Sequence, residues 1–259
     1  MNRNSLAYIA GFIDGDGCIH ASKKHRYWSQ LAVAVTDPEP IHFIAAYLKK
    51  NVKIKMELNS PFKANPRYRT EVKGHQAIPV IKQLLPFLME KRNQSFDVLK
   101  QFDAWENFPY LKHTREEFFA WLAGFSEAEG HFSARESKSR KSKYMNIYYQ
   151  LTNTNEPLMN CIIYKLRDYG ITESIKLNSL KGSTRMCSVT KRIIKRKPIH
   201  RIFLKGGDAL LLYKEIYPFM KIKRKKDNIM KSFKLLKKRK RKSERLKEVL
   251  ERLDGNPIT

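Results

Sequence analysis

The chain repeats one short pattern at two places, and this repeat limits the folds that it can adopt. Residues 6–17 read LAYIAGFIDGDG, and residues 119–130 read FAWLAGFSEAEG. In both segments apolar residues recur at helical spacing, and an acid-x-acid-Gly sequence follows. Small residues also stand four positions apart, at Ala7 and Gly11 and again at Ala120 and Gly124. Such a stripe lets two helix backbones approach closely, so the repeat predicts two helices that pair and bring their terminal acids together.

The segments that follow the two motifs also correspond. After the first motif, alternating apolar residues predict strands at 18–24, 27–36, 52–58 and 67–73, with helices at 41–48 and before 85–88. After the second, the order recurs as strands at 131–138, 144–153 and 171–178 and helices at 158–169 and 208–217, with a basic hairpin or loop inserted at 181–198. Ser5 is the predicted N-cap of the first helix. Each half therefore reads αββαββα, an α+β unit whose antiparallel sheet packs on helices.

This correspondence predicts four regions along the chain. The first half covers residues 1–102, and a linker covers 103–116. The second half covers 117–236, and a basic tail covers 237–259, which overlaps a long basic helix candidate at 221–253.

Charge indicates the kind of partner. The chain has 52 Lys and Arg against 25 Asp and Glu, a net charge of +27, which favours nucleic acid. One face of each antiparallel sheet is expected to be exposed, and its polar side chains suit phosphates and base edges. A one-residue error in strand register would exchange the two faces. The predicted DNA-binding residues are His20, Ser22, Lys24, Gln30, Arg67, Arg69, Glu71 and Lys73 in the first half, and Ser133, Arg135, Ser137, Asn146, Tyr148, Gln150, Lys176 and Asn178 in the second.

The sequence also predicts a location. No apolar run is long enough to cross a bilayer, and acids interrupt the N-terminal segment where a signal peptide would be cleaved. We therefore expect an intracellular protein without a membrane partner. An abundance of Lys, Ile, Asn and Tyr is typical of an AT-rich coding genome, which points to an organelle, either chloroplast or mitochondrion.

The motif acids suggest metal chemistry. Asp14, Asp16, Glu127 and Glu129 all stand near helix C-termini, where a negative charge costs about 0.3–1 kcal/mol. A bound cation removes this conflict, and oxygen-only ligands suit Mg²⁺, with Mn²⁺ or Ca²⁺ able to take its place. Such ions activate water and stabilise a leaving oxygen in phosphodiester hydrolysis. A very basic chain with one focused acidic point therefore predicts a metal-dependent nuclease.

With these motifs and the strands behind them, residues 1–235 resemble the double-motif LAGLIDADG homing endonucleases. The resemblance implies a monomer of two pseudo-symmetric halves, whose saddle-shaped sheets lie over DNA and whose LAGLIDADG helices form the interface. It implies intron homing through a double-strand break in a long DNA target. Because the two motifs end in different acids and the second half is longer and more basic, we expect that target to be asymmetric.

The resemblance also assigns roles to residues. The last acid of each motif, Asp16 and Glu129, is expected to bind two or three metal ions with the carbonyls of Gly15 and Ala128. Asp14 and Glu127 are expected to be structural. Polar residues around the hydrolytic water complete the predicted catalytic set, which is Asp16, Glu129, Lys91, Lys223, Asp37 and Asn153.

Two other functions fit the same fold. One is an intron RNA splicing maturase that binds RNA through its basic surface. The other is a DNA-binding relative that is catalytically silent. Retention of Asp16 and Glu129 favours cleavage.

Overall fold

The computed structural model describes residues 2–21, 29–55, 66–104, 112–138, 143–173, 175–182, 184–186, 193–195 and 197–238. These residues form an α+β fold in which the two halves have the same order of elements. The elements of the first half are α1 Arg3–Asp16, β1 Gly17–Ala21, β2 Ser29–Val35, α2 Pro38–Leu48, β3 Lys53–Lys55, β4 Arg67–Lys73, α3 Ala77–Leu84 and α4 Arg92–Gln101.

The second half repeats that order and adds a hairpin. Its elements are α5 Arg115–Glu129, β5 Gly130–Lys138, β6 Lys143–Asn153, α6 Glu156–Asp168, β7 Asn178–Leu180, β8 Thr184–Met186, β9 Ile193–Lys195, β10 Ile199–Lys205, α7 Gly206–Ile216 and α8 Lys223–Lys238. The extra strands β8 and β9 pair with each other in antiparallel fashion, as the predicted inserted hairpin requires.

The four-stranded sheets share one topology. In the first half the order is β1–β2–β4–β3, and in the second it is β5–β6–β10–β7, with antiparallel neighbours throughout. One face of each sheet is apolar and buried: Ile19, Leu31 and Val72 in the first, and Tyr149 and Ile202 in the second. Helices α2 and α3 contact the first sheet, and α6 contacts the second. The predicted fold class is confirmed.

Two compact units can be distinguished, and they do not coincide with the two sequence halves. The first contains residues up to Ala128 together with Ile216–Lys226, and the second contains Glu129–Glu215 and the chain from Asp227 onward. The first unit therefore includes most of both motif helices. Helix α5 begins at Arg115, so the last two residues of the predicted linker 103–116 already belong to this helix.

Helices α1 and α5 contact each other through their glycines. A Cβ atom on Gly11 would stand 1.9 Å from the carbonyl oxygen of Trp121, and one on Gly124 would stand 2.1 Å from that of Tyr8. Both distances are far shorter than any van der Waals contact. The close backbone approach predicted from the small-residue stripe is therefore present, and it depends on glycine at these two positions.

Helices α1 and α5 both begin with a side-chain cap, and the cap of α1 is not the predicted residue. The N-cap of α1 is Asn2, whose side chain accepts a hydrogen bond from the backbone N–H of Ser5 at 2.9 Å, so Ser5 lies inside the helix. Before α5, Thr114 and Glu117 form a reciprocal capping box, with hydrogen bonds of 3.0 and 3.2 Å. Each cap satisfies N–H groups that a helix start would otherwise leave without a partner.

Other predicted boundaries differ from the structure. Residues 171–177 form no strand where described, and β7 begins only at Asn178. Strand β3 is short, and residues 56–58 of the predicted strand lie outside the described residues. Helix α4 was not predicted. The predicted tail helix is present as α8 to Lys238, and its remainder lies outside the described residues. Within the described residues, no helix has the length and apolar character to cross a bilayer.

Candidate active site and nucleic-acid interface

The first acid of motif one is a buried anchor. Asp14 is 1% exposed, and its carboxylate accepts hydrogen bonds from the backbone N–H groups of Met89 and Lys91, both at 2.8 Å. The indole N–H of Trp121 on α5 donates a third, at 2.9 Å. Burial raises the pKa of Asp14, while these donors act in the opposite direction. One carboxylate thus joins α1 to α5 and to the segment after α3.

Glu127 has the reciprocal position in motif two. It is 3% exposed and accepts hydrogen bonds from the backbone N–H groups of Lys221 and Ile222, at 2.8 and 2.6 Å. The phenol of Tyr8 on α1 donates to it at 2.5 Å. Burial again raises the pKa of the carboxyl. Each motif helix therefore supplies an aromatic donor to the buried acid of the other, which fixes the two helices against one another near their C-terminal ends.

We expect Asp14→Asn to destabilise the protein by about 2–3 kcal/mol. An amide has only one acceptor oxygen. In the variant, the NH₂ group would therefore face an N–H donor that bonds to a carboxylate oxygen in the wild type. Equilibrium urea unfolding of the two proteins measures this difference. Asp97→Asn on exposed α4 is the matched control and should change stability little. A loss for Asp14→Asn no larger than that of the control would show that the buried carboxylate is not an anchor.

A lysine ammonium lies at the C-terminal end of each motif helix. Lys91 Nζ donates to the carbonyl oxygen of Asp14 and, at 3.3 Å, to that of Gly15. Lys225 Nζ donates to the carbonyl oxygens of Ser126 and Glu127, at 3.2 and 2.6 Å. Lys225 is 7% exposed, and burial lowers its pKa to about 8. These cations offset the negative helix ends, so the electrostatic conflict noted in the sequence does not by itself require a metal.

The lysine at the second helix end differs from the predicted one. Counting from the Pro-Phe segments pairs Lys91 with Lys223, but Lys223 is exposed in the first turn of α8. The residue that contacts the helix end as Lys91 does is Lys225, two positions later. The catalytic role assigned to Lys223 stays a prediction, and Lys225 is the better candidate on geometry.

The predicted metal ligands stand at the ends of their helices. Asp16 is the last residue of α1, and its side chain is exposed. Partial withdrawal from water raises the pKa of Asp16, whereas the nearby Lys225 and Lys91 act to lower it. Glu129 is the last residue of α5, and Gly15, Ala128 and Glu129 are half-buried. In the described part of the chain, no group of three or more His, Cys, Asp or Glu side chains is arranged to hold a metal.

The two residues predicted to position water have different partners. Asp37 precedes α2, and both of its carboxylate oxygens accept hydrogen bonds from the guanidinium of Arg224, at 2.7 Å each. These bonds lower the pKa of Asp37. Asn153 ends β6, and its side-chain oxygen accepts a hydrogen bond from the backbone N–H of Asn155 at 2.7 Å. The residue at this position therefore forms an ion pair in the first half, whereas in the second half it accepts a hydrogen bond within a turn.

The strand registers place the predicted DNA-binding residues on the non-core faces of the sheets. In the first sheet, His20 is paired with Gln30, Gln30 with Lys73, and Arg67, Arg69 and Glu71 continue along the same face of β4. Ser22 and Lys24 lie outside the described residues. The alternation in the sequence therefore assigned the faces of β1, β2 and β4 without a shift.

The second sheet has the same arrangement of faces. Tyr148 and Gln150 alternate with buried Tyr149, and Ser133 pairs with Tyr148, although Ser133 is itself buried. The register also places Arg135, Ser137 and Asn146 on this face, but their side chains lie outside the described parts. Asn178 is in β7, whereas Lys176 is exposed outside any strand.

Several residues of these surfaces were not predicted. The non-core face of the second sheet also includes five residues that were not predicted: His131, Thr152, Arg201, Phe203 and Lys205. All except His131 and Thr152 lie on β10, a strand that was not located in the sequence. Arg224 and Lys225 were missed because they stand in an uninterrupted basic run, where no single residue is distinctive.

The whole chain is similar in structure to solved proteins. The crystal structure of the LAGLIDADG homing endonuclease I-LtrWI bound to target DNA superposes with a TM-score of 0.55 at 14% identity, over 99% of each chain. The LAGLIDADG meganuclease I-AabMI bound to uncleaved DNA gives 0.54 at 17% identity, over 100% of each chain. The meganuclease I-SmaMI bound to DNA gives 0.53 at 15% identity, also over 100% of each chain.

The chain has the double-motif LAGLIDADG fold. The likeness is structural, since no protein-family profile and no curated protein sequence matches the chain. Within this LAGLIDADG fold, α1 and α5 are the two motif helices, and Asp16 and Glu129 are the acids that close the motifs.

Proposed function

We propose that this protein is a site-specific DNA endonuclease that makes a metal-dependent double-strand break in a long, asymmetric target. The observation that carries the proposal is the reciprocal anchoring of Asp14 by Trp121 and of Glu127 by Tyr8. Two buried acids held in this way fix the ends of α1 and α5. The acids that follow two residues later, Asp16 and Glu129, then stand on rigid supports, as catalytic groups require.

Double-stranded DNA is the proposed partner. The sheets of the LAGLIDADG fold offer Arg, Lys, Gln, Asn and Tyr side chains on their non-core faces, and the chain carries a net charge of +27. Arg to guanine and Gln or Asn to adenine are geometrically favoured pairs, while Lys suits phosphates. The structures of I-LtrWI and I-AabMI, which have the same fold, were determined with DNA bound. A single chain carries both motifs, which supports action as a monomer.

The donor set at each helix end fits Mg²⁺. It consists of a carboxylate and a carbonyl oxygen from the last residues of the helix. Mg²⁺ in nucleic-acid enzymes is commonly bound by one or two carboxylates, with substrate phosphates and water as the other ligands. A protein site with fewer than three side-chain ligands is therefore consistent with this ion, and Mn²⁺ or Ca²⁺ should occupy the same positions.

Each residue then has a proposed task. Asp16 and Glu129 hold the ions, with the carbonyls of Gly15 and Ala128 as further ligands. When bound, the metal supplies an activated water and neutralises the leaving oxygen. Lys91 and Lys225 place positive charge at the helix ends, where negative charge grows on the scissile phosphate. Asp37 and Asn153 orient water, and Arg224 holds the Asp37 carboxylate.

Substituting the two candidate lysines separately distinguishes them. We expect Lys225→Met to lower the rate of DNA cleavage by about 10²-fold, because it removes a buried cation beside the reacting phosphate. Lys223→Met, an exposed residue on the same turn, should leave the rate nearly unchanged. Single-turnover cleavage of a DNA target, selected from a randomised library, measures the rates of both variants. The assignment fails if Lys223→Met causes the larger loss while both variants unfold at the same urea concentration.

The function itself is tested with a randomised library of DNA duplexes. The full chain is incubated with the library in Mg²⁺ or in EDTA, and cleaved molecules are sequenced. Recovery of one asymmetric sequence, in Mg²⁺ alone, supports the proposal. Selection of a bound but uncut sequence would instead indicate a DNA-binding protein without catalysis. Tight binding of an intron RNA, with no selection of DNA, would indicate a maturase.

A further inference from the structure

Glu71 is the centre of a hydrogen-bonded cluster on the non-core face of the first sheet. Its Oε2 atom accepts hydrogen bonds from Gln30 Nε2 at 2.8 Å and from Arg69 Nε and Nη2 at 3.1 and 2.6 Å. Its Oε1 atom lies 3.3 Å from Lys53 Nζ and 3.2 Å from Lys73 Nζ. The Glu71 side chain is only 12% exposed. One carboxylate thus holds four polar side chains from three strands.

This carboxylate has little capacity left for a ligand. A carboxylate offers about four lone-pair sites, and five donor atoms already surround Glu71. Although loss of water contact opposes ionisation, the hydrogen bonds from Arg69, Lys73 and Lys53 lower the pKa of Glu71 to about 2. It therefore remains charged and occupied at neutral pH. A base amino group would have to displace one of these donors to bind it.

The side chains that Glu71 holds keep their base-recognising groups available. Arg69 uses Nε and one Nη2 hydrogen on Glu71, which leaves the Nη1/Nη2 edge, the edge that pairs with guanine O6 and N7. Gln30 uses one N–H on Glu71, which leaves its carbonyl and second N–H, the pair that matches adenine. Ala32 and Ala34 stand opposite Glu71 and Arg69 on β2, so small neighbours leave room for this arrangement.

The second sheet lacks this carboxylate. Aligning Gly17 with Gly130 through the strand registers makes Arg201 and Lys205 the counterparts of Arg69 and Lys73, and Phe203 the counterpart of Glu71. Phe203 packs against Tyr148 with ring centroids 5.3 Å apart. Among the described residues, the buried Arg201 Nε has no hydrogen-bond partner. Where the structure describes the chain, the equivalent arginine is therefore held by a carboxylate in the first sheet and not in the second.

We propose that Glu71 is a positioning residue that sets base discrimination in the first half of the DNA target, by fixing Gln30 and Arg69 for bidentate contacts. The inference rests on the proposed DNA-binding function. Glu71 does not contact a base itself. It also compensates part of the charge of Lys53 and Lys73, which limits binding to unrelated DNA.

The test uses the full-length wild-type chain, Glu71→Gln and the control Glu116→Gln. Glu116 is exposed in the first turn of α5 and contacts Asn4, so the control makes the same change of charge away from the sheet. Each protein selects bound duplexes from a randomised DNA library in Ca²⁺. We expect Glu71→Gln to lose about 10-fold or more of its discrimination at two or more neighbouring base pairs of one half-site. The control should match wild type.

A second measurement separates positioning from direct contact. On a fixed duplex of unrelated sequence, Glu71→Gln should bind more tightly than wild type, with a salt dependence steeper by about 1–2 in log–log slope, because Lys53 and Lys73 become available to phosphates. In a double variant that already carries Arg69→Met and Gln30→Ala, adding Glu71→Gln should cause no further loss of discrimination. This is expected if Glu71 acts only through Gln30 and Arg69.

The outcomes are distinct from those that test the function. A wild-type protein that selects no DNA sequence would overturn the proposed function and this inference with it. Wild-type selectivity that Glu71→Gln leaves intact would overturn the inference alone. Glu71→Gln could instead lose discrimination at a single base pair, and that loss could persist in the Arg69→Met/Gln30→Ala double variant. This result would show that Glu71 contacts a base directly, and it would also overturn the inference.

Discussion

Gly11→Ala should destabilise the protein by about 3 kcal/mol or more, the upper range for an overpacked site. The new Cβ would stand 1.9 Å from the carbonyl oxygen of Trp121 and 2.7 Å from the carbonyl carbon. These atoms belong to a helix backbone, so they can move only if α5 moves away from α1. That movement would also lengthen the hydrogen bonds that join Tyr8 to Glu127 and Trp121 to Asp14.

Equilibrium urea unfolding, followed by far-UV circular dichroism, measures this effect. Ala46→Ser is a suitable control, because it also adds one heavy atom to a small helical residue, but at an exposed position of α2. Gly124→Ala should resemble Gly11→Ala, since its Cβ would stand 2.1 Å from the carbonyl oxygen of Tyr8. If Gly11→Ala were as stable as the control, the close approach of the two helices would be refuted.

Asp16→Asn should abolish cleavage, with a rate loss on the order of 10³-fold or more. The amide keeps the size of the side chain but removes the charge that the proposed ion requires. DNA binding should persist or tighten, because one negative charge leaves a surface that faces a polyanion. Folding should be unharmed, since Asp16 is exposed at a helix C-terminus where a negative charge is unfavourable.

The matched control is Asp168→Asn. Asp168 is likewise an exposed aspartate and the last residue of its helix, α6. It should cleave like wild type, so that any loss in Asp16→Asn reflects the position of the acid and not the change itself. Equal cleavage by wild type and Asp16→Asn would show that Asp16 is not a metal ligand in the reaction.

The parts of the fold that follow from local periodicity were predictable. Strand faces have a period of two, so alternation alone placed His20, Gln30 and Glu71 on one side of the first sheet. The pairing of the motif helices was predictable from Ala7 and Gly11, because small residues four positions apart let two helix backbones approach closely. Ser5 was misassigned as the N-cap because Asn and Ser have similar N-cap preferences, so residue type alone does not choose between Ser5 and Asn2.

The parts that depend on contacts distant in sequence were not predictable. Tyr8 and Trp121 look like ordinary core aromatics, and only the packing of α1 on α5 shows that each binds the other helix's acid. Lys225 replaces Lys223 at the helix end because α8 begins at Lys223, whereas α4 begins only after Lys91. Relative to its Pro-Phe segment, α8 starts one residue earlier than α4 does, and such a shift cannot be inferred from a basic run in which every residue is a plausible contact.

Metal-dependent cleavage of both DNA strands can be measured on a plasmid. A supercoiled plasmid that carries the selected target is incubated with the wild-type chain in Mg²⁺, in EDTA, and in Mg²⁺ with Asp16→Asn. We expect linear plasmid in the first reaction and intact supercoiled plasmid in the other two. Linear plasmid in EDTA, or from Asp16→Asn at the wild-type rate, would contradict it, as would tight target binding in Mg²⁺ without any cleavage.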